Sequence, residues 1–360
     1  MNPTEQLHDL GQSLWLDNIT RTMLGDGSLA GYIEELSVTG LTSNPTIFDK
    51  AITGGDAYDE QIAAAGSGAA SPEEIFFELA IADLRAAADL FAAVHARSDG
   101  LDGWVSLEVS PLLADDVAAT IEQAARLHGQ AARDNLFVKI PGTEAGRAAI
   151  EESIFAGRAI NVTLLFSREH YLGAADAYMR GLERRVEAGL DPAVPSVASL
   201  FVSRWDVAVM DSAPEELRDR LGIAIAGRTY RAYRELLDSE RWQRLANEGA
   251  RPQRLLFAST GTKDPEASDV LYIEALAAPF TIDTMPDVTL KAFADHGTVG
   301  EPLPADGGDA EEVLAEFGAA GIDVEALAAR LQEEGKRSFA DSWADLLKSI
   351  ESERERLVER

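Results

Sequence analysis

The chain has no cysteine, which excludes a disulfide framework and any thiolate mechanism. Lysine is scarce: Lys50, Lys139, Lys263, Lys291, Lys336 and Lys348 are the only ones, and arginine carries most of the positive charge. Positive charge as a whole is in deficit, with 32 Lys and Arg against 62 Asp and Glu and a formal net charge of −30. The sequence pI is about 4.4. That balance excludes a general nucleic-acid binder, because phosphate backbones need a basic surface. It also excludes adsorption to an anionic membrane. It leaves room for a small anionic substrate, since a locally basic pocket is compatible with an acidic exterior.

Long apolar runs are missing too. No stretch approaches the roughly 20 residues of a membrane-spanning helix. Met1 to Leu10 is polar and acidic and lacks the apolar core of a secretory signal, so a cytoplasmic protein is expected. His8, His95, His128, His170 and His296 are scattered, without the spacing of metal ligands. Neither a metal nor a cofactor is expected.

What is present is alternation. Short β-prone apolar runs recur at Ser13 to Asp17, before Thr42-Ser43-Asn44-Pro45, and at Trp104 to Val109, Leu136 to Ile140 and Ile160 to Leu165. Three more follow at Ser196 to Val202, Arg254 to Ser259 and Phe280 to Asp283. Between them lie helix-like segments: Pro72 to Val94 behind the cap Ser71, Asp115 to Ala132, Glu144 to Phe155, Arg168 to Glu187 and Pro214 to Leu237. Such alternation predicts a parallel sheet with helical crossovers. Eight units in 360 residues, 46% of them hydrophobic, fit a closed (β/α)8 barrel. An open doubly wound sheet lacks the support of a Gly-rich dinucleotide fingerprint after the first strand. Residues 301–360 read as a charged helical extension of a single barrel domain, broken early by Gly307-Gly308 and packed on the barrel or on a neighbouring subunit. Homodimer and monomer both remain open.

Lys139 is the anomaly. It sits inside the apolar run Leu136-Phe137-Val138-Lys139-Ile140-Pro141. An unpaired ammonium is costly to bury and tends to lose its proton, and a neutral amine in a dry pocket forms Schiff bases with carbonyls. The plainer alternative is a strand-end lysine whose head snorkels to water.

Other strands also carry polar residues. Asp17, Asn44, Glu108, Asn161, Thr163, Ser199 and Ser259 interrupt or end their runs. Singly, Asp17 and Asn44 read equally well as helix caps. Jointly, they converge on the end of a barrel where chemistry sits, as a ring suited to a polyhydroxylated carbonyl compound. Lys139 attacking a ketone would give an iminium, an electron sink that lets a nearby carbon–carbon bond break. A base must then take a proton from the departing hydroxyl, and imine formation needs acid–base help. Asp17 and Glu108 are candidates for the two jobs, and asparagine amides suit sugar hydroxyls.

Ala258-Ser259-Thr260-Gly261-Thr262-Lys263 ends a strand with hydroxyls, a glycine and a cation, a turn able to cradle a phosphate. It lacks P-loop spacing. Arg204, opening the next helix after Phe201-Val202-Ser203, would complete the site. Two unrelated surface cations are the alternative.

These segments resemble the transaldolase family from about Leu14 to Gly297. The motifs are Leu14-Trp15-Leu16-Asp17-Asn18-Ile19, Gly40-Leu41-Thr42-Ser43-Asn44-Pro45-Thr46-Ile47-Phe48, Val138-Lys139-Ile140-Pro141-Gly142-Thr143, Ile160 to Ser167 and Ile282-Asp283-Thr284-Met285-Pro286. The resemblance implies a class I aldolase barrel moving a dihydroxyacetone unit between phosphorylated sugars in the non-oxidative pentose phosphate pathway. It implies Lys139 as the Schiff-base residue, Asp17 as acid/base on the sugar hydroxyl, and Glu108 and Thr163 as holders of a catalytic water. It assigns Asn44, Asn161 and Ser199 to the substrate hydroxyls and dihydroxyacetone carbons, and Arg204 and Ser259 to phosphate. One departure stands out. Shorter members carry an arginine two residues after the phosphate-site serine; here that position is Gly261, with Lys263 two further on. The chain resembles the longer bacterial subgroup in this, and the resemblance implies Lys263 as a replacement for the arginine. A fructose 6-phosphate aldolase-like enzyme and a non-catalytic sugar-phosphate sensor are the alternatives. The first is disfavoured by the carboxylate at Glu108 and the second by the filled catalytic positions.

Overall fold

Runs such as Leu136 to Pro141 are too apolar to leave either face in water, and parallel strands solve this by taking a core on both sides. In a computed structural model that describes residues 2–66 and 70–358, eight parallel strands close into a barrel in chain order. They are β1 Ser13–Asp17, β2 Val38–Thr42, β3 Trp104–Glu108, β4 Leu136–Pro141, β5 Ile160–Leu165, β6 Ser196–Phe201, β7 Gln253–Ala258 and β8 Ile282–Met285. This is the (β/α)8 architecture expected from the alternation. Among the described residues no helix is long and apolar enough to cross a membrane.

The strand period of two sorts the core. Leu14, Leu16, Leu41, Val105, Val138, Ile140, Ile160, Val162, Leu255 and Phe257 face outward into the layer under the helices. Trp15, Trp104, Phe137, Val197, Leu256 and Ile282 belong to a second cluster that fills the barrel. Trp104 and Phe137 stack there with centroids 4.1 Å apart. Gly40 faces the same interior, where a Cβ would lie 2.7 Å from the Trp15 ring. At the N-terminal end Arg254 spans the barrel, pairing with Asp102 at 3.1 Å and donating to Ser13 Oγ and the Thr281 carbonyl. The far end is therefore left for polar side chains.

Caps place the helices as the sequence predicts. Ser71 accepts from the Glu74 amide in a full capping box, and Thr143 and Ser167 cap the helices that follow β4 and β5. The helix read as Pro72 to Val94 runs on to Arg97 and that read from Asp115 starts at Val117; two further starts differ for reasons visible in the packing. Pro214 to Leu237 is not one helix: a turn at Glu215–Leu217 precedes a helix at Leu221–Asp238. The buried Asp206 carboxylate accepts from the Leu221 and Gly222 amides at 2.9 and 3.1 Å and fixes the later start. The last strand begins at Ile282 rather than Phe280, because Phe280 takes φ 63° and turns its ring outward.

The extension from Glu301 forms a helix at Ala310–Ala319 and one long C-terminal helix, Val324–Val358, where several were expected. Residues 359 and 360 of that expected segment, and Met1, lie outside the described residues. The long helix seats Trp343 edge-on against Phe76 at 5.0 Å. Thr46, in the helix Pro45–Thr53, donates to Ser342 at 3.0 Å. The helix thus lies over the C-terminal rim of the barrel.

Candidate active site

Strand register assembles the polar layer. Glu108 is the neighbour of Lys139, and Lys139 of Asn161, in one row across β3, β4 and β5. Asp17 is likewise paired with Thr42 across β1 and β2. These residues sit two positions above the apolar plug, on the inward face: Lys139 above Phe137, Asp17 above Trp15, Asn161 above Ala159.

Lys139 does not snorkel. It is 6% exposed, donates to the Ser43 carbonyl at 3.0 Å and stands 3.3 Å from Glu108 Oε2. Apart from that ammonium, neither Glu108 oxygen has a hydrogen-bond partner among the described residues, and Thr163 Oγ1 has none among them either. A buried polar atom without a partner calls for an explanation, and beside Lys139 a water or a substrate hydroxyl supplies one. Desolvation pushes the Glu108 carboxyl above its ordinary range, against the pull of Lys139 and with a further push from Asp17.

Asp17 caps no helix; Thr20 does that for the next segment. Asp17 Oδ1 accepts from Thr42 Oγ1 at 2.9 Å, and Thr42 Oγ1 lies 2.8 Å from Thr284 Oγ1. Burial raises its carboxyl too, opposed by the Lys139 charge, the Thr42 hydrogen bond and, most weakly, Lys263. Asn44 does cap: its Oδ1 accepts from the Ile47 amide at 3.1 Å. It also lines the cavity. Ser199 Oγ donates to Asn161 Oδ1 at 2.7 Å, and Asn161 Nδ2 donates to Ser106 Oγ at 3.2 Å.

A cavity of about 350 Å³ opens above this layer and is lined by Asp17, Asn44, Lys139, Thr163, Ser199, Arg204, Ser259 and Lys263. The sequence-selected residues thus converge, apart from Glu108 and Asn161, which stand immediately behind Lys139 in the same strand row. Arg204, Ser259, Gly261 and Lys263 line the same cavity. Ser259 takes φ 58° and its Oγ lies 2.9 Å from Ser203 Oγ. The Arg204 guanidinium has no hydrogen bond or ion pair among the described residues, and desolvation alone holds its pKa below the usual arginine value. An uncompensated cation facing a cavity favours an anionic ligand.

Sequence reasoning passed over Thr42, Ser106 and Thr284. The signal was available, since each lies two positions from a residue that faces inward. It also passed over Lys50 and the C-terminal-helix residues Ser338, Phe339 and Ser342, which line the same cavity. Nothing local marks the last three, because their approach depends on how the distant helix packs.

The family model for Transaldolase/Fructose-6-phosphate aldolase matches residues 14–350. The match runs well past Gly297, so most of the C-terminal extension is part of the family's chain. A transaldolase of Neisseria gonorrhoeae is 43% identical over 339 residues, covering 94% of this chain and 96% of its own. A transaldolase of Thermobifida fusca is 43% identical over 358 residues, covering 97% of each. One of Arthrobacter is 43% identical over 358 residues, covering 97% and 96%.

Proposed function

The chain belongs to the transaldolase/fructose-6-phosphate aldolase family and functions as a transaldolase, and we propose that Lys139 carries the transferred unit as a Schiff base. The carrying observation is that Lys139, with Glu108 and Asn161 beside it in one strand row, faces a cavity also lined by Asp17, Arg204, Ser259 and Lys263. The amine, the Asp17 carboxylate and the phosphate-binding cations then face one substrate.

The donor is a ketose phosphate, sedoheptulose 7-phosphate or fructose 6-phosphate. Lys139 adds to its C2 carbonyl, and the carbinolamine loses water to give an iminium. Glu108 and Thr163, whose buried oxygens lack protein partners, hold and move protons for that water. Asp17 takes the proton of the C4 hydroxyl. The C3–C4 bond breaks, its electron pair passes to the iminium nitrogen as an enamine, and the aldose phosphate departs. The enamine carbon then bonds to the aldehyde of glyceraldehyde 3-phosphate or erythrose 4-phosphate. Asp17 returns its proton to the new alkoxide, and water hydrolyses the imine. Asn44, Asn161 and Ser199 hold the hydroxyls of the three-carbon unit. Arg204, Ser259 and Lys263 hold the phosphate, with Lys263 in the role that an arginine at position 261 plays elsewhere.

Residues 301–360 act as an extension of one barrel domain. The reaction belongs to the cytoplasm, because charged sugar phosphates do not cross bilayers unaided.

A coupled assay tests the reading. With fructose 6-phosphate and erythrose 4-phosphate together, glyceraldehyde 3-phosphate should form in step with sedoheptulose 7-phosphate. Release of free dihydroxyacetone at the same rate without acceptor would identify an aldolase, and no turnover would identify a sensor.

A further inference from the structure

The C-terminal helix reaches the cavity at Ser338, Phe339 and Ser342. Its seat is fixed along one face. Gln332 Nε2 donates to the Leu164 carbonyl at 3.0 Å, next to Thr163. Gly335 lies so close to Leu164 that a Cβ there would stand 3.1 Å from its Cδ2. Lys336 pairs with Asp115, in the segment after β3. Ser342 accepts from Thr46, and Trp343 is buried against Phe76. Positions 332, 335, 336, 339, 342 and 343 recur at the three- and four-residue spacing of one helix face.

Phe339 sits in the middle of that face and is 9% exposed. Its ring centroid is 5.9 Å from Arg204 Cζ, and that of Phe201 is 5.2 Å away. The two rings meet edge to face at 6.4 Å. No carboxylate or carbonyl holds Arg204 among the described residues; two aromatic faces lie against it instead. Aromatic faces can orient a guanidinium without neutralising it, so its donors stay free for a ligand.

We propose that Phe339 is a positioning residue: the C-terminal helix uses it to hold the Arg204 guanidinium at the cavity wall, and so sets affinity for the phosphate end of the substrate. The inference rests on the transaldolase reading above. Phe339 acts through Arg204, so the effect belongs to binding of phosphorylated sugars and not to imine chemistry.

The test compares wild type, Phe339→Leu and Phe339→Tyr in three measurements. They are KM and kcat for fructose 6-phosphate, the inhibition constant of inorganic phosphate, and the rate of borohydride trapping by free dihydroxyacetone, which has no phosphate. Phe339→Leu should raise KM and the phosphate inhibition constant together, roughly three- to tenfold, the scale of a partly desolvated cation–π contact. Its kcat and dihydroxyacetone trapping should change less than twofold. Phe339→Tyr, which keeps the ring face, should restore KM. Unchanged KM in Phe339→Leu, or an equal loss with phosphate-free and phosphorylated compounds, overturns the proposal. Absence of transfer in the wild type sinks the functional reading itself, a different outcome.

Discussion

Glu108 Oε2 stands 3.3 Å from Lys139 Nζ, with both side chains more than nine-tenths buried and adjacent in strand register. A buried pair of this kind contributes little net stability, because desolvation offsets most of the Coulombic gain. It does put a proton acceptor beside an amine that must lose a proton before it attacks. Glu108→Gln keeps the shape and removes the acceptor. Imine formation should slow about 10²- to 10⁴-fold, the usual scale of general acid–base help. Stopped-flow trapping with borohydride reads this directly. Trapping at the wild-type rate would remove Glu108 from the proton path.

Asp17 is assigned to the later step, carbon–carbon cleavage. In Asp17→Asn, transfer should fall about 10²- to 10⁴-fold, while reduction by borohydride should still capture the ketose on Lys139. Because burial raises the Asp17 carboxyl, the wild-type acid limb of kcat should lie at higher pH than an ordinary carboxylate allows. A pH–rate profile checks this; an acid limb at the free-carboxylate value contradicts it.

Arg204 faces the cavity without a protein counter-charge. Charge-assisted hydrogen bonds to phosphate contribute about 1.5–3 kcal/mol each, so Arg204→Ala should raise KM for fructose 6-phosphate by roughly 10- to 150-fold. Steady-state kinetics with the phosphorylated sugar and with free fructose separate this from a general loss. Equal losses on both would remove Arg204 from the phosphate site.

Asp283 lies outside the cavity, fully buried on β8. Its Oδ1 accepts from Thr260 at 2.7 Å and its Oδ2 has no partner. Burial pushes its carboxyl up to about 7. The folded state then binds more protons than the unfolded chain between about pH 4 and pH 7, so stability present below that window is lost as pH rises through it, at up to about 1.4 kcal/mol per pH unit. Asp283→Asn should flatten the stability profile across that range in urea unfolding. An unchanged slope would mean that Asp283 ionises in the folded protein as it does in solution.

Most of the site was legible because strand period two and the rule that barrel chemistry lies at strand C-termini are local signals. Lys139, Asp17, Asn161 and Ser199 are polar exceptions in apolar runs, and that mismatch is visible without coordinates. Asn44 was ambiguous for a physical reason: it caps a helix and lines the cavity at once. The start at Leu221 was hidden because it depends on Asp206, a long-range cap. Phe339 was hidden because an aromatic at helical spacing reads as core until the helix has been placed on the barrel.

The most direct measurement is the site of the adduct. Incubate the protein with fructose 6-phosphate, reduce with borohydride, digest, and locate the added mass by mass spectrometry. The adduct should lie on Lys139 alone and vanish in Lys139→Ala. An adduct on Lys50, Lys263 or Lys291, or no adduct from a protein that still turns over, would contradict the Schiff-base account.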